Sequence, residues 1–252
     1  MVFAAGILAR GGESGRQAAE RQEMYNLAHK MLAEFAGAFA LLFFSVGSIC
    51  AQQQAGASGP GALGMSLAPG LAIAALFAAV GHISGGHFNP AVTAAFWVTR
   101  RKGTLETILY WIAQLLGAAA GCYLISIFFL PDVWREAHLG VPALASDVSP
   151  VIGMIIEAAL TFFLVLVYFG TTADKECAYA KVAPLAIGFT VIANDLVSGG
   201  LTGAAMNPAR AFGPALVGNY WANQAVYWVG PLAGGILAGS LYSLLLVRKS
   251  SS

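Results

Sequence analysis

The sequence predicts an all-α integral membrane protein with six transmembrane helices plus two re-entrant half-helices, arranged as an inverted repeat. Three observations carry that prediction. Of 252 residues, 58% are hydrophobic and only 10% are charged, with a mean hydropathy of +0.72. Soluble domains sit near about half apolar and about a quarter charged, so the solvent for this chain is a bilayer. Six apolar stretches reach the roughly 20 residues that a helix needs to cross one. The tripeptide Asn-Pro-Ala occurs twice, each time at the head of an apolar run too short to cross.

The spans are expected at about 28–51, 66–84, 105–130, 150–172, 180–198 and 222–247, and the short pieces at 88–98 and 207–217. Near the start of the first span stands Ala33-Glu34-Phe35, and Asn89-Pro90-Ala91 follows 55 positions after the glutamate (34 to 89). Near the start of the fourth stands Glu157-Ala158-Ala159, and Asn207-Pro208-Ala209 follows 50 positions on (157 to 207). Each half is therefore three spans plus one short piece. An odd number of spans inserts the two copies with opposite topology, so the short pieces dip in from opposite faces.

A dipping half-helix has definite needs. Asn is a favoured N-cap and Pro a favoured first helical residue, so Asn-Pro reads as a helix start in both copies. The preceding residues, SGGHF and TGAAM, must run extended at membrane depth, which is tolerated only where backbone is buried in protein or lines a watery cavity. Two such starts near the midplane aim two positive dipole ends and two Asn amides at one point.

Basic residues indicate orientation. Arg10, Arg16, Arg21, Lys30, Arg100, Arg101, Lys102, Lys175, Lys181, Arg248 and Lys249 fall on one side, and only Arg135 and Arg210 on the other. The positive-inside rule puts both termini in the cytosol. The opening MVFAAGILARGG lacks the basic lead and long core of a cleaved signal peptide. Cys50, Cys122 and Cys177 have no CxxC or metal-ligand spacing and read as packing groups or free thiols. No phosphate-binding loop and no second domain supplies an energy source. No metal, other cofactor or nucleic-acid partner is expected.

HFNPAV and MNPARAFG, with the AEF and GHISGGH segments and the inverted repeat, resemble the aquaporin (major intrinsic protein) family, over nearly the whole chain from about 28 to 247. The resemblance implies a channel domain over 28–247 (repeat one about 28–130, repeat two about 150–247), between cytosolic tails at 1–27 and 248–252. It implies a water path in which Asn89 and Asn207 donate to a central water. Carbonyls of Gly85, Gly86, His87, Gly203, Ala204, Ala205 and Met206 would line the path, and Leu41, Ile73, Leu164 and Val191 would form its apolar wall. It also implies a homotetramer with one pore per subunit.

The outer filter, counted without gaps from the two Asn anchors, falls on Pro69, Asp195, Ala204 and Arg210. Water channels of the family usually carry Phe and His where this chain has Pro69 and Asp195. The bland reading of Pro69 is a proline in the first turn of the second span. Asp195 either points inward within reach of Arg210 or caps loop backbone in VSGGLTG. Ala211, Ala215 and Tyr227-Trp228 match the water-type rather than the glycerol-type pattern. The segment ANDLVSGGLTGAAMNPARAFGPA is similar to the vacuolar and ammonia-permeable branches, which implies ammonia, peroxide or urea as further solutes.

Other residues have two readings. Glu34 and Glu157 suggest a proton relay by their depth, but the resemblance and their symmetric placement favour bracing of the re-entrant loops. His82 and His87 are likewise read as loop staples, since no Cys or carboxylate stands at ligand spacing beside them. Gly117/Gly121, Gly230/Gly234 and Gly235/Gly239 are close-packing pairs, within the subunit or between subunits. A passive water channel is preferred over a facilitator of small solutes with water secondary, a coupled secondary transporter and a non-conducting membrane scaffold.

Overall fold

The computed structural model describes residues 25–174 and 177–246. The expected cytosolic residues Arg10, Arg16, Arg21, Lys175, Arg248 and Lys249 lie outside the described residues. Six helices are long and apolar enough to cross a membrane: Leu27–Ser58, Gly61–Ser84, Thr104–Phe128, Pro150–Ala173, Ala180–Thr202 and Gln224–Leu246. Their regular α-helical parts are α1 (Leu27–Ala55), α2 (Gly61–Ser84), α4 (Thr104–Phe128), α6 (Pro150–Tyr168), α7 (Ala183–Thr202) and α9 (Gln224–Leu241). The half-helices are α3 (Pro90–Val98) and α8 (Pro208–Gly218), and a short α5 (Pro131–Glu136) lies between the repeats.

Two expected boundaries move. The second span begins at Gly61 rather than near 66, so Pro69 sits inside α2 and not in its first turn. Without an N–H it leaves the carbonyl of Met65 without its helical donor. The fifth span continues to Thr202 rather than stopping at 198, because Gly199 and Gly200 are tolerated within a helix that its neighbours hold. The non-helical stretches are accordingly Gly85–Asn89 and Gly203–Asn207, and they are largely left-handed rather than extended.

The helices interlock across the repeats. In the first repeat α1 packs on α4 and α2, and in the second α6 packs on α9 and α7; α2 also packs on α7. Each half-helix leans on the other repeat, α8 on α4 and α3 on α9. Glycines permit these approaches. A methyl group on Gly117 or Gly121 would strike the carbonyl oxygen of Phe35 or Phe39 in α1, and one on Gly230 or Gly234 the carbonyl of Met154 or Ala158 in α6. Gly235 and Gly239 face Ala91 and Ala95 of α3. All three glycine pairs thus serve packing within the subunit, which in lipid rests on close contact rather than on hydrophobic burial. Outward, large apolar side chains such as Leu63, Leu71, Leu105, Ile155 and Phe163 are exposed, as a lipid-facing surface requires. Cys50 and Cys122 are buried and free, and Cys177 is free and half-buried.

Candidate functional site

The two Asn-Pro-Ala segments build one site from matching parts. Asn89 and Asn207 have extended backbone (φ −154° in both) and cap their half-helices: each Oδ1 accepts from the N–H two residues on, Ala91 at 2.8 Å and Ala209 at 2.9 Å. That leaves the amide nitrogens free to reach the opposite loop. Asn89 Nδ2 donates to Met206 O at 2.9 Å, and Asn207 Nδ2 donates to Phe88 O at 3.0 Å. A side-chain amide has two N–H groups, so each Asn keeps one for the lumen that both line.

Positive φ recurs along the loops, at Gly85 (97°), Gly86 (64°) and Phe88 (50°), and at Gly203 (79°), Ala204 (41°) and Met206 (52°). Gly85 and Gly203 are the left-handed C-caps of α2 and α7, where glycine costs least. Phe88, Ala204 and Met206 are not glycines, and such backbone persists only when its surroundings hold it. The two glutamates do so. Glu34 accepts from Ser84 Oγ (2.6 Å), His87 N (2.9 Å), Phe88 N (2.7 Å) and Gln114 Nε2 (2.7 Å). Glu157 accepts from Thr202 Oγ1 (2.7 Å), Ala205 N (3.0 Å) and Met206 N (2.6 Å). Both are fully buried and only accept, which is bracing geometry.

Several braces were not legible in advance. Ser84 and Thr202 each stand five residues before the half-helix Asn (84 to 89, 202 to 207); their carbonyls accept from Tyr110 and Tyr227 hydroxyls at 2.9 and 3.0 Å. The common offset was a usable signal. Tyr168 donates to Gly86 O at 2.7 Å, and Asn194 donates to Leu160 O at 2.9 Å and contacts Met206 Sδ at 3.0 Å. Nothing in the local sequence marks that pair. His87 staples its loop as expected, with Nδ1 at 3.0 Å from Thr93 Oγ1 and its ring 4.5 Å from that of Phe96. His82 does not. It is exposed on the outer side of α2 with its ring edge-on to Tyr25 at 5.9 Å, because its position in the last turn faces away from the loop. Lys102 holds the cytosol-assigned flank instead: its Nζ lies 3.4 Å from Ser84 O, 3.1 Å from Glu106 and 4.2 Å from the centre of the Tyr110 ring. Burial lowers its pKa, against the pull of Glu106.

Between the loops lies a narrow cavity of about 40 Å³, room for about three waters in file. Leu41, Ile73, Leu164 and Val191 all line it. So do His87, Ala204, Ala205 and Met206. The carbonyls of Gly86 and Met206 are partly committed, to Tyr168 and Asn89, and Gly203 stands further out. The cavity opens into a vestibule of about 470 Å³. Pro69, Asp195 and Arg210 border both spaces, together with Ser45, which sequence reasoning missed. Ala204 lines only the narrow cavity, so that cavity is the one all four counted positions border.

Asp195 points inward, yet no hydrogen bond or ion pair joins it to Arg210. Asp195 borders both spaces, the Ser66 hydroxyl donates to Ala62 O at 3.0 Å, and Arg210 Nη1 donates to Gly140 O at 2.7 Å. The alternative role of capping VSGGLTG backbone is also unmet, since that segment is helical to Thr202. Among the described residues, no group of three or more His, Cys, Asp or Glu is placed to hold a metal.

The sequence model of the major intrinsic protein family matches residues 21–242. The chain belongs to this family, the aquaporins. It is 43% identical over 226 residues to a probable aquaporin, TIP3-2, of Arabidopsis thaliana, covering 86% of this chain and 83% of the relative. It is 41% identical over 223 residues to aquaporin TIP4-4 of Zea mays, covering 87% of each. The aquaporin fold is shared with the solved aquaglyceroporin of Plasmodium falciparum, at a TM-score of 0.77 and 22% identity over 87% of this chain and 97% of that one.

Proposed function

We propose that this aquaporin is a passive water channel that excludes ions and protons, and that it also passes small neutral solutes such as ammonia, urea or hydrogen peroxide. The observation that carries the reading is the reciprocal pair Asn89–Met206 and Asn207–Phe88 beside a cavity of about 40 Å³. The free amide hydrogens donate to a water at the centre of the file, fixing both its lone pairs toward protein. It then cannot accept from its neighbours in the file, and the proton relay is cut. Two half-helix N-termini add positive potential at the same point. A bare cation would lose its hydration shell along a wall of Leu41, Ile73, Leu164 and Val191 with few acceptors to replace it. Water meets enough fixed donors and acceptors to exchange bonds as it moves.

Pro69, Asp195, Ala204 and Arg210 act as the outer selectivity filter, with the guanidinium donating to passing water. Both termini face the cytosol, supported by the basic residues on that side, and the working unit is a homotetramer with a pore in each subunit. The Arabidopsis and maize relatives bear the name aquaporin, which supports a water path. A facilitator with water secondary is the second reading, favoured by one observation: the filter positions Pro69, Asp195 and Ala204 bring no aromatic ring to the mouth. Proteoliposome shrinkage after osmotic steps of sucrose, urea and glycerol decides. The channel reading requires fast water flux from the sucrose step; a urea or glycerol flux that outpaces it would favour the second.

A further inference from the structure

Three successive residues beside the outer mouth hold left-handed backbone: His138 (φ 47°), Leu139 (φ 50°) and Gly140 (φ 65°). Only the last is a glycine. L side chains disfavour this region, and an observed outlier of this kind is reason to ask what it holds. The strap is pinned at each residue. His138 stacks on Tyr220, with ring centres 4.6 Å apart and planes at 29°. Leu139 is fully buried, packed beside Gly218 at the end of α8. Gly140 lies over α1, where an added methyl would come within 3.0 Å of Ile49. Tyr220 reaches back to the strap because Asn219 ends α8 in a left-handed turn (φ 58°).

The strap presents one carbonyl to the pore. Gly140 O accepts from Arg210 Nη1 at 2.7 Å, and this is the one hydrogen bond that the described protein offers the guanidinium side chain. A guanidinium has five N–H donors, so its orientation rests on this single acceptor while the rest face the mouth. We infer that the strap and the His138–Tyr220 stack fix the Arg210 guanidinium against the wall, so that His138, Leu139 and Tyr220 are positioning residues for solute selectivity. The inference rests on the channel reading above. It joins the loop between the repeats to the far end of the half-helix that carries Arg210, making the width of the mouth depend on a ring stack outside it.

The test compares Tyr220→Ala, His138→Ala and Tyr220→Phe with the parent in proteoliposomes, reading the ratio of glycerol to water permeability. Loosening the strap should raise that ratio about fivefold in Tyr220→Ala, the factor expected for one net hydrogen bond. Tyr220→Phe, which keeps the ring, should retain the parent ratio. A monodisperse Tyr220→Ala with the parent ratio overturns the inference. Should Tyr220→Ala fail to assemble, His138→Ala decides in the same way: a raised ratio supports the strap, and the parent ratio overturns it. A parent that conducts no water would overturn the channel reading, and this inference with it, by a different result.

Discussion

Replacing Glu34 with glutamine should destabilise the protein and lower its water permeability, even though the volume hardly changes. One carboxylate oxygen takes Ser84 Oγ and His87 N, the other Phe88 N and Gln114 Nε2. Glutamine makes one of these sites an NH2 donor. Placed at the first, it faces a Ser84 hydroxyl that can turn to accept and a His87 N–H that cannot. Placed at the second, it faces Gln114, whose Oε1 is otherwise without a partner, and a Phe88 N–H that cannot accept. Either way one buried backbone N–H is orphaned, costing about 1–3 kcal/mol. At about 2–4 °C per kcal/mol for a chain of this size, the midpoint for heat-induced loss of monodisperse protein in detergent should fall by about 2–12 °C. Glu34→Ala orphans both N–H groups and should fall further. Phe88 O is the acceptor of Asn207, so permeability per protein should fall with stability. A Glu34→Gln protein with the parent's midpoint and permeability would refute the bracing account.

Arg210→Val should admit larger neutral solutes or cations while water flux persists; stopped-flow shrinkage with a solute series checks this, and unchanged selectivity would count against Arg210 in the filter. Asp195→Asn keeps the shape at the mouth and removes the charge, so the ratio of urea to water permeability should change; identical ratios would take the Asp195 charge out of the filter. Gly234→Ala drives a methyl into the carbonyl of Ala158 and should cost about 1–3 kcal/mol or more by overpacking α6 against α9, read as a lower yield of monodisperse protein and a lower thermal midpoint.

Much of the fold could be read from the sequence because bilayer physics narrows the choices. Six spanning stretches, two Asn-Pro starts and two glutamates at similar offsets (55 and 50 residues) sufficed for the inverted repeat and for bringing the Asn89 and Asn207 loops together. Leu41, Ile73, Leu164 and Val191, taken from the family pattern, line the cavity between the loops. Illegible parts depend on which way a side chain turns. His82 and His87 have the same chemistry five residues apart (82 to 87), but one faces outward on α2 and the other inward in the loop. Asp195 turns inward yet no hydrogen bond joins it to Arg210, whose guanidinium donates to Gly140, some 70 residues away in sequence. That acceptor belongs to a loop with no motif, and only its left-handed backbone marks it.

A water path through this protein should form a continuous file broken to protons at the Asn89 and Asn207 amides. Water and proton flux are recorded in the same proteoliposomes, with light scattering after an osmotic step and an entrapped pH-sensitive dye under an imposed pH gradient. Shrinkage should be much faster than in protein-free vesicles, with proton leak no greater than theirs. Shrinkage at the protein-free rate, or water flux accompanied by a matching collapse of the pH gradient, would contradict it.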